Sequence, residues 1–241
     1  MEEITREQLE QNVAAVRARM AEAAAAAGRN VRDIRLCAAS KLHDADTVRL
    51  AAALDIDIFG ENHVQELVSK REAGAYLDKP LHFIGHLQTN KVRQVVGAAS
   101  LIQSVDSDHL LTALEKQAAR LELIQDVLLE INIGGEESKS GIAPEGLSAL
   151  LEQAEGCRHI RVLGLMAVPP ADTTDAENRG YFAAMRRLFE DCRPLQHDRL
   201  QMQWLSMGMS GDFENAIREG ANLVRVGTAI FGARDYLRRL G

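Results

Sequence analysis

Residues 37–44 read CAASKLHD, and the passage of this stretch from apolar to polar decides the fold. Ile34, Leu36, Ala38 and Ala39 have the character of a buried strand, and Ser40-Lys41 stand where that strand leaves the core. The turn that follows, SKLHD, contains no glycine. An open doubly wound sheet is expected to carry a glycine fingerprint after its first strand. The stretch therefore favours the other way of arranging alternating strands and helices, a closed barrel. It also sets a lysine on rigid backbone at a strand end. Most lysines in such places are simply solvated, but an amine of lowered pKa there is also the group that captures a carbonyl compound.

Outward from this stretch the chain alternates without a long linker or low-complexity tract. Thr5 followed by Gln8 is a capping-box pattern, and Leu9, Val13, Val16 and Met20 recur at helical spacing, so residues 5–27 are expected to form a helix that stops at Gly28. After the first strand, at about 34–40, a helix is expected from Asp44 with Val48, Ala51, Ala52 and Leu54. DIDIFGEN is the second strand, with a helix from near His63; LHFIG at 81–85 is the third, with a helix through Lys91 and Val95. LIQSVD is the fourth, with Asp106, Ser107 or Asp108 available to cap the helix 108–120. DVLLEINI is the fifth, and Pro144 suits the first turn of the next helix. RVLGLMAV is the sixth, stopped by Pro169-Pro170, and a long helix follows with Tyr181, Met185, Leu188 and Phe189 on one side. QMQWLSM and NLVRVG are the seventh and eighth, and a last helix is expected from about Ile230. Strands alternating with helices imply a parallel sheet. Eight such units close into an α/β fold, a single (β/α)8 TIM barrel over residues 1–241 with one extra N-terminal helix.

Composition narrows the function classes. The 241 residues are 46% hydrophobic and 26% charged with a net charge of -7, which suits a soluble globular chain and argues against a broad nucleic-acid face. Cys37, Cys157 and Cys192 are odd in number and far apart, so neither a disulfide framework nor a zinc site is expected, and a cytoplasmic location fits. No apolar run is long enough for a bilayer, so no membrane partner is expected.

In a (β/α)8 barrel the chemistry lies at the C-terminal ends of the strands. Those ends hold Ser40 and Lys41; Gly60, Glu61 and Asn62; Gly85 and His86; Ser104 and Asp106; Asn132; Met166; Ser206; and Arg225, Gly227 and Thr228. The last two turns, SMGMSGD at 206–212 and GTAIFG at 227–232, combine glycines with hydroxyls. Either alone is ordinary turn chemistry; together, after strands seven and eight, they favour a phosphate site. GMSG is one residue short of a nucleophile elbow. His82 and His86 fall across a strand end, so metal binding is not expected. His43, His63 and His109 are read as solvent or cap residues, and Met207 and Met209 as packing. A lysine amine, an arginine and a phosphate cradle at one barrel mouth suggest pyridoxal 5'-phosphate, with the arginine at the ring nitrogen.

The stretches ASK (39–41), FGENHVQEL (59–67), HFIGHLQTNK (82–91), SVDS (104–107), GEESKSGI (135–142), GLMAVP (164–169), LSMGMSGDFENAI (205–217) and VRVGTAIFGAR (224–234) closely resemble, in order, the pyridoxal phosphate homeostasis protein family. The resemblance implies a barrel like the alanine racemase N-terminal domain. It implies that Lys41 carries pyridoxal phosphate as a Schiff base and that Arg225 faces the pyridine nitrogen. It implies that Ser206, Ser210, Gly227 and Thr228 contact the phosphate, that Asn62 and His86 line the pocket, and that Lys139 corresponds to a second family lysine. His43 stands where many members carry a lysine, His63 where a tyrosine is common, and Leu81 where a tryptophan is common.

Two function readings follow. The first is a non-catalytic monomer that binds pyridoxal phosphate, buffers the free aldehyde and passes it to apoenzymes by transient contact. The second is a pyridoxal phosphate-dependent amino-acid racemase or decarboxylase. Such enzymes add a second domain after the barrel, which Gly241 leaves no room for, and a two-base racemase needs a second acid or base. Tyr76, Tyr181 and Tyr236 fall on helices or their ends, so the carrier reading is preferred.

Overall fold

Eight short strands, β1 (Arg35–Ala39), β2 (Ile58–Glu61), β3 (Leu81–Phe83), β4 (Leu101–Val105), β5 (Gln125–Ile131), β6 (Ile160–Ala167), β7 (Leu200–Ser206) and β8 (Leu223–Val226), carry the apolar runs of the sequence. In the computed structural model, which describes residues 4–136 and 139–232, these strands pair in parallel, each with the next, and β1 with β8, to close a barrel. The helices between them are α2 (Ala45–Ala52), α3 (Val64–Glu72), α4 (Val92–Val95), α5 (Asp108–Arg120), α6 (Leu147–Glu155), α7 (Asp175–Cys192) and α8 (Phe213–Arg218). A one-turn helix, α9 (Thr228–Phe231), follows β8.

The N-terminal helix α1 (Arg6–Ala26) is not an appendage. Its capping box forms as expected, with Gln8 N–H donating to Thr5 Oγ1 at 3.2 Å and Thr5 N–H to Gln8 Oε1 at 2.8 Å. The buried stripe Leu9, Val13, Val16, Met20, Ala23 and Ala24 packs beside α8, α9 and α2, on the outer layer over the β8–β1 seam. Asn12 donates to Ile230 O at 2.8 Å, and Arg29, just past the helix, donates to Ile217 O at 2.6 Å and Ala221 O at 2.7 Å. Each fully buried Leu or Val in that stripe contributes about 1.5–3 kcal/mol, so α1 is held firmly as part of the outer helical layer.

Strand parity divides the core into two layers of different chemistry. Successive side chains of a strand point to opposite faces, and the outward ones join the helices in the main hydrophobic cluster. Inside, Cys37, Ile58, Leu101, Leu128, Leu163, Met166 and Leu223 form a separate plug. Two residues further along β4, β5 and β8, on the same parity, Leu101, Leu128 and Leu223 give way to Gln103, Glu130 and Arg225; on β7 Trp204 gives way to Ser206. All four polar residues are buried. The barrel is thus apolar at its floor and polar under its C-terminal mouth.

Several expectations shift in detail. The buried face of α7 is Asn178, Phe182, Met185, Phe189 and Cys192, so Phe182 takes the core position assigned to Tyr181, and Leu188 is half-buried. The stretch through Lys91 and Val95 is a 3-10 turn followed by the one-turn α4. Met207 is buried, but Met209 is 38% exposed and packs little. His43 stacks on Phe231 with ring centroids 4.7 Å apart, and His63 occupies the N-cap of α3 without a side-chain cap bond. Ser107 caps α5, accepting from Leu110 N–H at 3.3 Å. The final helix starts at Thr228, and its expected continuation with Tyr236 lies outside the described residues. Gly164 allows β6 to run against β7: at its φ of +141° a Cβ would lie 2.0 Å from Trp204 O.

Candidate functional site

Parallel closure brings the ends of β1, β8 and β7 together. Cys37 is in register with Arg225, Met166 with Ser206, and Ser206 with Leu223. Ser40 N–H bonds Gly60 O at 3.0 Å, extending the β1–β2 ladder to the residue before Lys41. Lys41 is half-buried in the turn that follows.

Arg225 is 4% exposed and rises from the barrel wall. Its Nη1 donates to Ser206 Oγ at 2.6 Å and its Nη2 to Ala167 O at 2.9 Å. Ser206 Oγ donates onward to Gln103 Oε1 at 2.6 Å. Gln103 Nε2 lies 2.8 Å from His82 Nδ1. An amide nitrogen can only donate, so His82 accepts at Nδ1 and carries its proton on Nε2. Burial drives the His82 pKa down to about 3, which agrees with a neutral ring. The result is a directional chain, Arg225 to Ser206 to Gln103 to His82, in which each orientation fixes the next. Glu130 completes the layer. Burial, then the Asp106 charge, pushes its carboxyl up to about 7, against the opposing pull of Arg225. Burial likewise lowers the Arg225 pKa from its ordinary value.

The β7 and β8 loops meet at Ser210. Its Oγ accepts from Gly227 N–H at 3.1 Å and from Ala229 N–H at 3.3 Å. Two backbone amides therefore converge on one oxygen at the mouth, the arrangement that an anion oxygen also satisfies. Thr228 between them is exposed. Gly208, at φ +92°, keeps the β7 loop tight: a Cβ would lie 2.5 Å from Ala216 Cβ. Across the mouth, Asn62 Oδ1 is buried without a hydrogen-bond partner among the described residues. His86 Nδ1 lies 3.3 Å from Asp106 Oδ2 and 3.3 Å from Ser140 Oγ. Lys139 Nζ pairs with Glu136 Oε2 at 2.7 Å and donates to Pro169 O at 3.0 Å.

All eight residues singled out in the sequence, Lys41, Asn62, His86, Ser206, Ser210, Arg225, Gly227 and Thr228, lie at or just below this rim. Ser206 differs from the expected arrangement. The sequence groups it with Ser210 at the phosphate loop, but its hydroxyl turns into the barrel and is committed to Arg225 and Gln103. Sequence reasoning missed Gln103, Glu130 and His82. For Gln103 and Glu130 the signal was a polar residue inside an apolar strand, two positions beyond an inward apolar one, as in LIQSV and VLLEI. It also missed the buried cluster of Glu61, Lys70 and Tyr76 behind β1.

The closed parallel barrel with a lysine after β1 and an arginine on β8 defines a class. A family profile described as "Alanine racemase, N-terminal domain" matches residues 4–235. An alanine racemase of Clostridium difficile 630 has the same fold at TM-score 0.73 and 14% identity, over 96% of this chain and 61% of that one. Nearer relatives are curated proteins named "Pyridoxal phosphate homeostasis protein". The one from Aquifex aeolicus is 42% identical over 90% of this chain and 95% of its own length. The one from Pseudomonas aeruginosa is 42% identical over 94% and 96%. The structure of PipY of Synechococcus elongatus PCC7942 "with PLP bound" superposes at TM-score 0.81 with 32% identity, over 93% of this chain and 100% of that one. The chain belongs to the pyridoxal phosphate homeostasis protein family.

Proposed function

We propose that this protein binds pyridoxal 5'-phosphate at the barrel mouth, holds it through Lys41 and releases it, as a homeostasis protein and not as an enzyme. The observation that carries the reading is the convergence of Lys41, the buried Arg225 and the Gly227–Ala229 amides on one end of the barrel. The residues fit the group. The Gly227 and Ala229 amides, which donate to Ser210 Oγ, would serve a phosphate with that hydroxyl turned aside, and the unpartnered Asn62 Oδ1 is an acceptor awaiting a donor. When bound, the cofactor supplies an aldehyde carbon to which a neutral amine forms a carbon–nitrogen double bond, the carbonyl oxygen and two amine protons leaving as water.

The chain's own groups favour holding over turnover. Arg225 has no acceptor atom and does not give up its proton. Toward a pyridine nitrogen it could only donate, so it would leave that nitrogen unprotonated and electron withdrawal weak. Ser206 and Ala167 O hold its guanidinium in one orientation. His82, neutral and bonded to Gln103, is not a proton carrier near neutrality. Tyr76, set aside as a second base on sequence grounds, is buried and donates to Glu61 at 3.1 Å, and burial with the Glu61 charge raises its pKa far above the ordinary phenol. Residues 1–241 are taken as one domain, a monomer that passes cofactor to apoenzymes by transient contact. The three buried free thiols accord with a reducing, cytoplasmic setting, and no described helix is long and apolar enough to cross a membrane.

Borohydride reduction followed by peptide mass spectrometry tests the lysine: the pyridoxyl group is expected on Lys41, and label on Lys139 alone would overturn the assignment. Incubation of the loaded protein with L- and D-amino acids in deuterated water tests the absence of turnover. Substantial α-deuterium incorporation that disappears in Lys41→Ala would establish a racemase or decarboxylase instead.

A further inference from the structure

Lys41 sits in a turn, outside the regular ladder of β1. A long side chain on a loose turn would not deliver its amine to one point, so something must fix the backbone on either side. The two peptide groups that flank Lys41 are both held from α3. The Ser40 carbonyl accepts from Lys70 Nζ at 2.7 Å. The Leu42 N–H donates to Glu66 Oε2 at 2.6 Å. Glu66 and Lys70 are four residues apart on one helical face, and they pair with each other at 2.9 Å.

The grip is itself anchored. Lys70 Nζ also bonds Glu61 Oε1 at 2.8 Å, so the three donors of the ammonium meet Ser40 O, Glu61 and Glu66. Glu61 Oε1 further accepts from Ser40 Oγ at 2.6 Å and Tyr76 OH at 3.1 Å. Glu61 is fully buried and Lys70 is 4% exposed. Apolar residues of similar volume would fill such a place at less cost in desolvation. What they could not do is bind peptide groups directionally. The turn also needs holding: Leu42 sits at φ +69°, the left-handed region that a leucine rarely adopts.

We propose that Lys70, with Glu61 and Glu66, is a positioning cluster that clamps the turn carrying Lys41 and so sets where the Lys41 amine meets an aldehyde. The proposal rests on the reading of Lys41 as the cofactor lysine. Lys70 acts through the backbone and does not touch the cofactor. Without it, the buried Glu61 and the half-buried Glu66 lose their counter-charge, Ser40 O keeps only the 3.3 Å bond from His43 N–H, and the turn is free to relax. Displacement of a reacting group by even an ångström slows bond formation severely.

The test uses the full chain with two probes. Pyridoxamine 5'-phosphate has no aldehyde and reports the phosphate and ring contacts alone. Pyridoxal 5'-phosphate reports, in addition, the rate at which the borohydride-fixable link to Lys41 forms. Lys70→Met is expected to bind pyridoxamine phosphate within about twofold of the original protein, while the link forms on the order of tenfold more slowly or worse. Lys70→Arg, which keeps a buried cation with several donors, is expected to recover part of that rate. Glu66→Met leaves Lys70 paired with Glu61 and removes the acceptor for Leu42 N–H together with one of the three Lys70 bonds; it covers the case in which Lys70→Met does not fold, and it too is expected to slow the link. Link formation at the original rate in the folded variants overturns the proposal. Equal loss of both probes also overturns it, because a general weakening of the barrel would act on both. If the unsubstituted protein itself carries no label on Lys41, the cofactor-lysine reading fails, independently of Lys70.

Discussion

Ser206→Ala probes the interior chain at its most crowded link. Ser206 is fully buried, and its single oxygen accepts from Arg225 Nη1 at 2.6 Å and donates to Gln103 Oε1 at 2.6 Å. Alanine removes both bonds and opens little space. A hydrogen bond to a charged group is worth about 1.5–3 kcal/mol, and a buried acceptor left unmet costs about 1–3 kcal/mol. The sum, roughly 2.5–6 kcal/mol, corresponds to a fall in melting temperature of roughly 5–24 °C for a chain of this size. Urea unfolding of the cofactor-free protein measures the first quantity and calorimetry the second. Because Arg225 retains its bond to Ala167 O, cofactor binding should weaken without vanishing. Ser206→Cys, with a weaker donor and acceptor, should fall between. A loss below about 1 kcal/mol would refute the reasoning, since the chain would then not be orienting Arg225 through Ser206.

Buried His82 makes stability fall in acid. Its folded pKa of about 3 lies below the ordinary 6.5, so the unfolded chain takes the proton first, and stability is lost as pH drops from 6.5 toward 3, by up to about 5 kcal/mol; urea midpoints at pH 7 and pH 4 should converge in His82→Gln. Glu130 acts in the opposite direction. Its folded pKa of about 7 lies above the ordinary 4.5, so the folded chain holds the proton longer, and stability declines as pH rises from 4.5 through 7, by up to about 3 kcal/mol. Glu130→Gln should therefore be more stable than the original at pH 8 and no more stable at pH 4, in the same urea titration. At the phosphate loops, Thr228→Val should weaken pyridoxal 5'-phosphate by about tenfold in equilibrium titration, while pyridoxal without its phosphate should bind poorly to both forms; equal affinity for the two ligands would remove these loops from the site.

Much of the barrel is written locally. The capping box at Thr5 and Gln8, the cap at Ser107, the prolines after β6 and the glycine-free turn SKLHD each act within a few residues, so they are readable before anything folds. The rim residues were readable for a related reason: once strands alternate with helices, every strand ends at the same face, and polar residues at those ends need no long-range information to be found. Tertiary structure decided the rest, because it depends on which strand neighbours which and on the parity each presents. Phe182, not Tyr181, faces the core because α7 is rotated by its packing on the barrel, and both residues satisfy an amphipathic pattern. Ser206 turns inward because closure brings Arg225 and Gln103 from β8 and β4 to meet it across the interior. Glu61 is legible in sequence as a strand-end residue, but that Lys70 joins it in a buried clamp is decided by β2 and α3 packing against the turn after β1. Sequence periodicity sets the face on which a side chain lies, and only closure of the barrel sets what that side chain meets.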